Sequence, residues 1–170
     1  MNQTNLIENN TKQTIEQQCK KAFESRNVLS SLSTEKKDTI LISFKTNLVK
    51  SAMSILAANQ KDIENGLKQK LTPALLDRLT LTKERIEGIA DSIEDIISFE
   101  DPIGIILDEW VRPNRLSISK IRVPLGVIGI IYEARPNVTA DAIAIAIKTG
   151  NSIVLRGSAS AYNTNKSIIT

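Results

Sequence analysis

Val123–Gly157, VPLGVIGIIYEARPNVTADAIAIAIKTGNSIVLRG, decides the fold. Its first apolar run, Val127 to Tyr132, is short and β-branched, as expected of a parallel strand buried on both faces. A polar elbow, Glu133-Ala134-Arg135-Pro136-Asn137, follows it. Small residues from Ala142 to Ile147 then form a helix closed by Lys148-Thr149-Gly150, with glycine where a left-handed residue is wanted. A second strand, Ser152 to Leu155, ends at Arg156-Gly157-Ser158. Strand, helix and strand in one stretch make a βαβ unit of an α/β domain. Ligands of such sheets bind beyond the carboxyl ends of the strands, which points to the elbows 132–137 and 156–160.

Working outward, the 170 residues suffice for one domain with a good core. Basic residues outnumber acidic ones 22 to 19, a formal +3. The first 100 residues carry 14 of each, so the excess lies in the last 70, a half suited to a phosphate-bearing ligand. A net +3 without a Lys/Arg cluster, with 4% aromatic residues, argues against a nucleic-acid partner. Cys19 is the only cysteine and there is no histidine, which excludes an internal disulfide and a His/Cys zinc site; no metal is expected. No apolar run approaches the roughly 18–20 residues of a membrane span. Residues 1–13 lack the apolar segment of a signal peptide, so a cytoplasmic setting is the expectation.

Four segments follow from the pattern. Residues 1–13 read as a disordered tip and 14–100 as helices. In the first helix Ile15, Cys19, Ala22 and Phe23 mark an apolar face. Ser33 is a candidate N-cap for a second, with the stripe Ile40, Phe44, Leu48, Ala52 and Ile55, and Gly66 punctuates after it. Thr72-Pro73 and Thr82 start two more, the last with Ile86, Ile89, Ile93 and Ile96/Ile97 on one side. Residues 101–122 read as a β-hairpin around Arg112-Pro113-Asn114-Arg115, whose second arm alternates apolar and polar residues, with one wet face. Residues 123–170 open the α/β domain, with a helix over Asn163–Thr170.

The string from Ile121-Arg122-Val123-Pro124-Leu125-Gly126 through Glu133, Arg135-Pro136-Asn137-Val138-Thr139, Lys148-Thr149-Gly150-Asn151 and Leu155-Arg156-Gly157 resembles the gamma-glutamyl phosphate reductases of the aldehyde dehydrogenase superfamily. Ile55-Leu56-Ala57-Ala58-Asn59, Ala74 to Leu79, Glu84-Arg85-Ile86, Asp101 to Gly104 and Trp110 to Asn114 extend it. The resemblance covers roughly residues 15–168 and implies an aldehyde-dehydrogenase-like α/β fold with an NADP-binding domain, of which this chain holds the N-terminal portion. It further implies reduction of gamma-glutamyl phosphate to glutamate semialdehyde by NADPH, with release of phosphate, in proline biosynthesis. A hairpin of this kind helps join subunits in the family, so a homo-oligomer is implied for the complete enzyme. An ordinary surface hairpin fits the same pattern.

Asn137 is the leading catalytic candidate. By resemblance its side-chain amide stabilises the negative charge that develops on the substrate carbonyl oxygen, a donor whose loss costs about 2.7–4 kcal/mol of barrier. It also suits the cap of a helix starting near Val138, and the two roles are compatible. By resemblance Arg156, Gly157 and Ser158, at and just after the end of the second strand, are candidates for the cofactor's ribose and phosphate; a guanidinium suits that phosphate, and no G-x-G-x-x-G follows Tyr132, so a Rossmann phosphate site is absent. Ser158 and Ser160 stand where the family carries a glycine and a glutamate. Tyr132 and Glu133 line the first elbow and belong to the same candidate set. Arg135 either meets a substrate anion or pairs with Glu133, the pair being favoured. Cys19 reads as a core residue, and by resemblance the catalytic cysteine lies downstream of the residues present, so the 170 residues alone are expected to be inactive. The competing reading is a non-catalytic remnant or interaction module that keeps the helices and hairpin for packing.

Overall fold

Ser33, Thr72 and Thr82 each stop the preceding backbone in an extended conformation and turn it into a helix. Their hydroxyls accept from the backbone N–H groups of Lys36, Leu75 and Arg85. Glu35 and Glu84 follow in the first turns, with carboxyls held below the ordinary range. The Ser33 hydroxyl is the main cause for Glu35 and its own backbone N–H for Glu84. The structure, a computed structural model, describes residues 3–170, with side chains from residue 13 onward.

Among the described residues seven α-helices and four strands follow in the order α1 Gln3–Ser30, α2 Thr34–Lys50, α3 Ala52–Lys68, α4 Pro73–Leu79, α5 Lys83–Ser98, β1 Ile106–Val111, β2 Ser117–Ile121, β3 Val127–Ile131, α6 Pro136–Lys148, β4 Ser152–Arg156 and α7 Tyr162–Ile169. A single 3₁₀ turn, Ala159–Ala161, precedes α7. Helix α1 runs from Gln3, and residues 1 and 2 of the expected disordered tip lie outside the described residues. No proline or glycine interrupts the first 30 residues. The stripe expected to continue from α2 through Ile55 is broken at Ser51, where α2 and α3 meet at 65°. Ile40 therefore faces outward, and Lys37, Leu41 and Leu48 are the buried positions of α2. Gly66 lies inside α3 and ends nothing; a Cβ there would sit 3.0 Å from Leu71 Cδ1 and 3.1 Å from Leu76 Cδ2. Among the described residues no single helix is long and apolar enough to cross a membrane.

One apolar core joins α2, α3 and α5 to α6 and α7. Leu41, Leu48, Ile55, Ile86, Ile89, Ile93 and Ile96 from α2, α3 and α5 meet Ala140 and Ala144 of α6 and Ile168 of α7. Polar groups inside it are paired. Lys37, 1% exposed, bonds Asp101 at 2.8 Å, and Lys148 bonds Asp38 at 2.8 Å and the Ile97 carbonyl at 2.8 Å. Asn59 donates to the Leu79 carbonyl and accepts from the Leu81 N–H, both at 2.8 Å. Asp62 receives the N–H groups of Asn163 and Thr164 and both their side chains, which closes the start of α7.

The hairpin β1–β2 is antiparallel, with Glu109 opposite Ser119, Trp110 opposite Ile118 and a register shift between Ile106 and Asp108. Its turn is the expected 112–115: the Arg115 N–H bonds the Arg112 carbonyl, and Arg115 adopts φ +66°. Ile118 is its one half-buried strand residue, so both faces are largely open rather than one. Strands β3 and β4 pair in parallel, from Val127 opposite Ser152 to Ile131 opposite Arg156. β3 is not buried on both faces as expected. Val127, Gly129 and Ile131 are exposed, because α1 and α6 pack chiefly on β4 and no described residue covers that side. Gly150 closes α6 at φ +65°, as the sequence requires.

Candidate functional site

The two elbows open into two different clefts. Tyr132, Arg156, Gly157 and Ser158 come together in one of about 350 Å³, at the carboxyl ends of β3 and β4. Asn165 and Lys166 of α7 complete it. Its floor is a chain of hydrogen bonds: Tyr132 Oη to Thr139 Oγ1 at 2.6 Å, and Thr139 Oγ1 to Asn165 Oδ1 at 2.9 Å. Gly157 lies against that chain. A Cβ there would collide with Asn165 Nδ2 and stand 3.0 Å from Tyr132 Oη, so any side chain at 157 would have to displace that hydrogen-bonded floor. The Arg156 guanidinium is exposed and makes no ion pair among the described residues. Ser158 turns inward instead: its hydroxyl accepts from the Ser160 N–H and lies 2.7 Å from Ser160 Oγ.

Asn137 lies in the other cleft, of about 300 Å³, with Arg78, Arg85, Ser92 and Asp141 on its wall. Helix α6 starts at Pro136, with Arg135 in the cap position, so Asn137 is not the cap that a start near Val138 would make it. Proline at the first helical position fixes the backbone one residue earlier. The Asn137 side chain is thereby freed from capping and turns along the helix, its Nδ2 donating to Asp141 Oδ2 at 3.4 Å. Burial pushes the Asp141 carboxyl up, with the Asn137 amide opposing.

Two further expectations are corrected, the Glu133–Arg135 pair and the burial of Cys19. Glu133 does not pair with Arg135; its carboxylate lies 3.8 Å from Arg78, and the only bond between 133 and 135 is backbone to backbone. Glu133 is exposed and lines neither cleft, whereas Tyr132 does. Cys19 is exposed rather than in the core, because α1 turns Ala22 and Ser25 toward β4 and leaves Ile15, Cys19 and Phe23 outward. Cys19 also lines neither cleft.

Sequence reasoning did not single out Thr139, Asp141, Asn165, Arg78 or Arg85. Asp141 falls four residues after Asn137 on one helix face, a local signal in the sequence, whereas Thr139, two residues on, faces away toward the other cleft. Asn165 and Arg78 reach their clefts only through tertiary packing.

No family model matches the chain. Among curated proteins, a gamma-glutamyl phosphate reductase of Desulforamulus reducens is 48% identical over 151 residues, 89% of this chain and 36% of its own length. One of a Geobacillus species is 51% identical over 146 residues, 86% of this chain. The crystal structure of the Thermotoga maritima gamma-glutamyl phosphate reductase superposes with TM-score 0.88 at 39% identity, over 90% of this chain and 37% of that one. The chain belongs to the gamma-glutamyl phosphate reductase family. It spans little more than a third of the length of the curated relatives it matches. The Saccharomyces cerevisiae gamma-glutamyl phosphate reductase agrees at TM-score 0.86 and 31% identity. A Bacillus subtilis protein assigned as an aldehyde dehydrogenase shares the fold at TM-score 0.67. The fold is thus part of the aldehyde-dehydrogenase-like α/β architecture, and the family's chemistry is that of an oxidoreductase.

Proposed function

We propose that these residues supply the helical part, the hairpin and the first βαβ unit of an enzyme that reduces gamma-glutamyl phosphate to glutamate semialdehyde with NADPH, releasing phosphate toward proline, in the cytoplasm. The observation that carries the reading is the 48% identity to a named reductase over 89% of the chain. The reductase names of both close relatives favour an enzyme over a non-catalytic interaction module.

The cleft at 156–158 fits a phosphate-bearing dinucleotide in its donor set. Arg156 and Lys166 offer cationic groups, and Gly157 keeps backbone where any side chain would fill the floor. Tyr132 and Asn165 hold that floor in place. Ser158 and Ser160, bonded to each other, shape the entrance rather than replace a glutamate acceptor. When bound, the cofactor supplies a hydride. In the other cleft Asn137 keeps one amide hydrogen for Asp141 and has a second free for the oxygen of a substrate carbonyl. The exposed apolar hairpin fits a subunit contact in a homo-oligomer. Cys19 lies outside both clefts, so we expect no reductase turnover from the 170 residues by themselves; turnover abolished by Cys19→Ser would overturn that.

Titrating the ¹⁵N-labelled chain with NADPH tests the assignment. Backbone signals of Gly157, Ser158 and Asn165 should shift, and Gly157→Val should abolish the shifts. A titration that leaves those signals unmoved sinks the cofactor reading.

A further inference from the structure

The Asn137 cleft holds more charge than an oxyanion site requires. Arg85 is committed, with bonds to the Asp77 and Thr80 carbonyls and an ion pair to Asp77 at 3.0 Å. Arg78 is held only by Glu133, at 3.8 Å and in solvent, so most of its five donors remain open. Asp141 is half-buried on the same wall, yet it makes no ion pair among the described residues. Its one hydrogen bond is the long contact from Asn137. An anion in a partly desolvated wall without a cation is costly unless a ligand supplies one. Burial already pushes that carboxyl up, in keeping with a missing counter-charge.

We propose that this cleft recognises the α-amino-acid end of the substrate, with Asp141 receiving the α-ammonium and Arg78 the α-carboxylate. The assignment rests on the reductase reading, because it places the reacting carbonyl at Asn137. The ammonium of a glutamyl group lies three carbons from that carbonyl, a short reach, and Asp141 is in direct contact with Asn137. Asp141 is the one carboxylate that lines the cleft, and Glu133 and Asp77, which do not line it, each already face one of its arginines. Asp141 is therefore the carboxylate left for a cation.

The test compares L-glutamate with glutarate, which lacks only the amine, on the full chain. Signals followed are the Asp141 carboxyl carbon and the Asn137 side-chain amide. We expect glutamate to shift both and to bind roughly tenfold or more tighter than glutarate, the weight of one charged hydrogen bond. Asp141→Asn should abolish the preference for glutamate over glutarate, whereas Arg78→Ala should weaken both. Equal binding of the two acids, or a preference that survives in Asp141→Asn, overturns the proposal. So does the absence of any shift at Asp141 and Asn137, and it needs no variant to be read. NADPH in the same sample separates the two readings: shifts at Gly157 without a glutamate response sink this inference alone, and loss of both sinks the reductase reading as well.

Discussion

The helices of 34–100 with α6 and α7, and the strands of 105–131, are two regions of opposite character in one chain. The helical region closes on itself: its isoleucines meet in one core, and its fully buried charges, Lys37, Asp62 and Lys148, each have a partner among the described residues. The strands do not. Ile106, Trp110, Val111, Ile121, Val123, Leu125 and Ile131 stand exposed, Ile131 at 82%. Both regions are rich in β-branched apolar residues, so composition alone does not separate them. What separates them is period. Residues at helical spacing find neighbours nearby in the same chain, while strand residues need a second layer that these elements do not provide.

Breaking an internal pair should have the largest effect. Asp101→Ala leaves the Lys37 ammonium buried and should cost about 4 kcal/mol, seen as a lower urea midpoint. The pair also carries a pH signature. Burial opposes ionisation of Asp101, but bonds from Lys37, the Ile103 N–H and Thr34 outweigh it and hold the carboxyl below its ordinary value. A depressed carboxyl stabilises fully above its unfolded value, about 3.9. The contribution is lost as pH falls through the lower folded value, so Asp101→Ala should flatten the acid limb of the stability profile. Ile93→Ala, in the closed core, should cost about 3 kcal/mol. Asp62→Ala, which strips the start of α7, should cost about 2 kcal/mol and speed amide exchange at Asn163 and Thr164. At the small end, Ile131→Ala and Cys19→Ser should each stay within about 0.5 kcal/mol, and Cys19 should react with a thiol reagent in the native state without delay. Equal costs for Ile93→Ala and Ile131→Ala would erase the distinction between the regions.

The same distinction sets what the sequence made legible. Ser33, Thr72, Thr82 and Gly150 were readable because capping and left-handed turns are decided by a few adjacent residues. Ile86, Ile89, Ile93 and Ile96 were readable from period, and Tyr132, Arg156, Gly157 and Ser158 from the rule that strand ends gather ligands. Burial of β3 and of Cys19 was not, since it depends on which partner covers a face, and periodicity is silent on that. The division of the site into two clefts was also hidden. Asn137 and Arg156 each end a strand or begin a helix, but the wall around Asn137 is built by Arg78 and Arg85, more than fifty residues earlier.

Asp62 and Asn59 carry a consequence for synthesis. Their partners Asn163 and Thr164 come about a hundred residues later. At roughly 5–20 residues per second, a ribosome adds those residues about 5 to 20 seconds after α3. Through that interval the face of α3 that will become interior must stay wet, so the helical region cannot finish drying until α7 arrives.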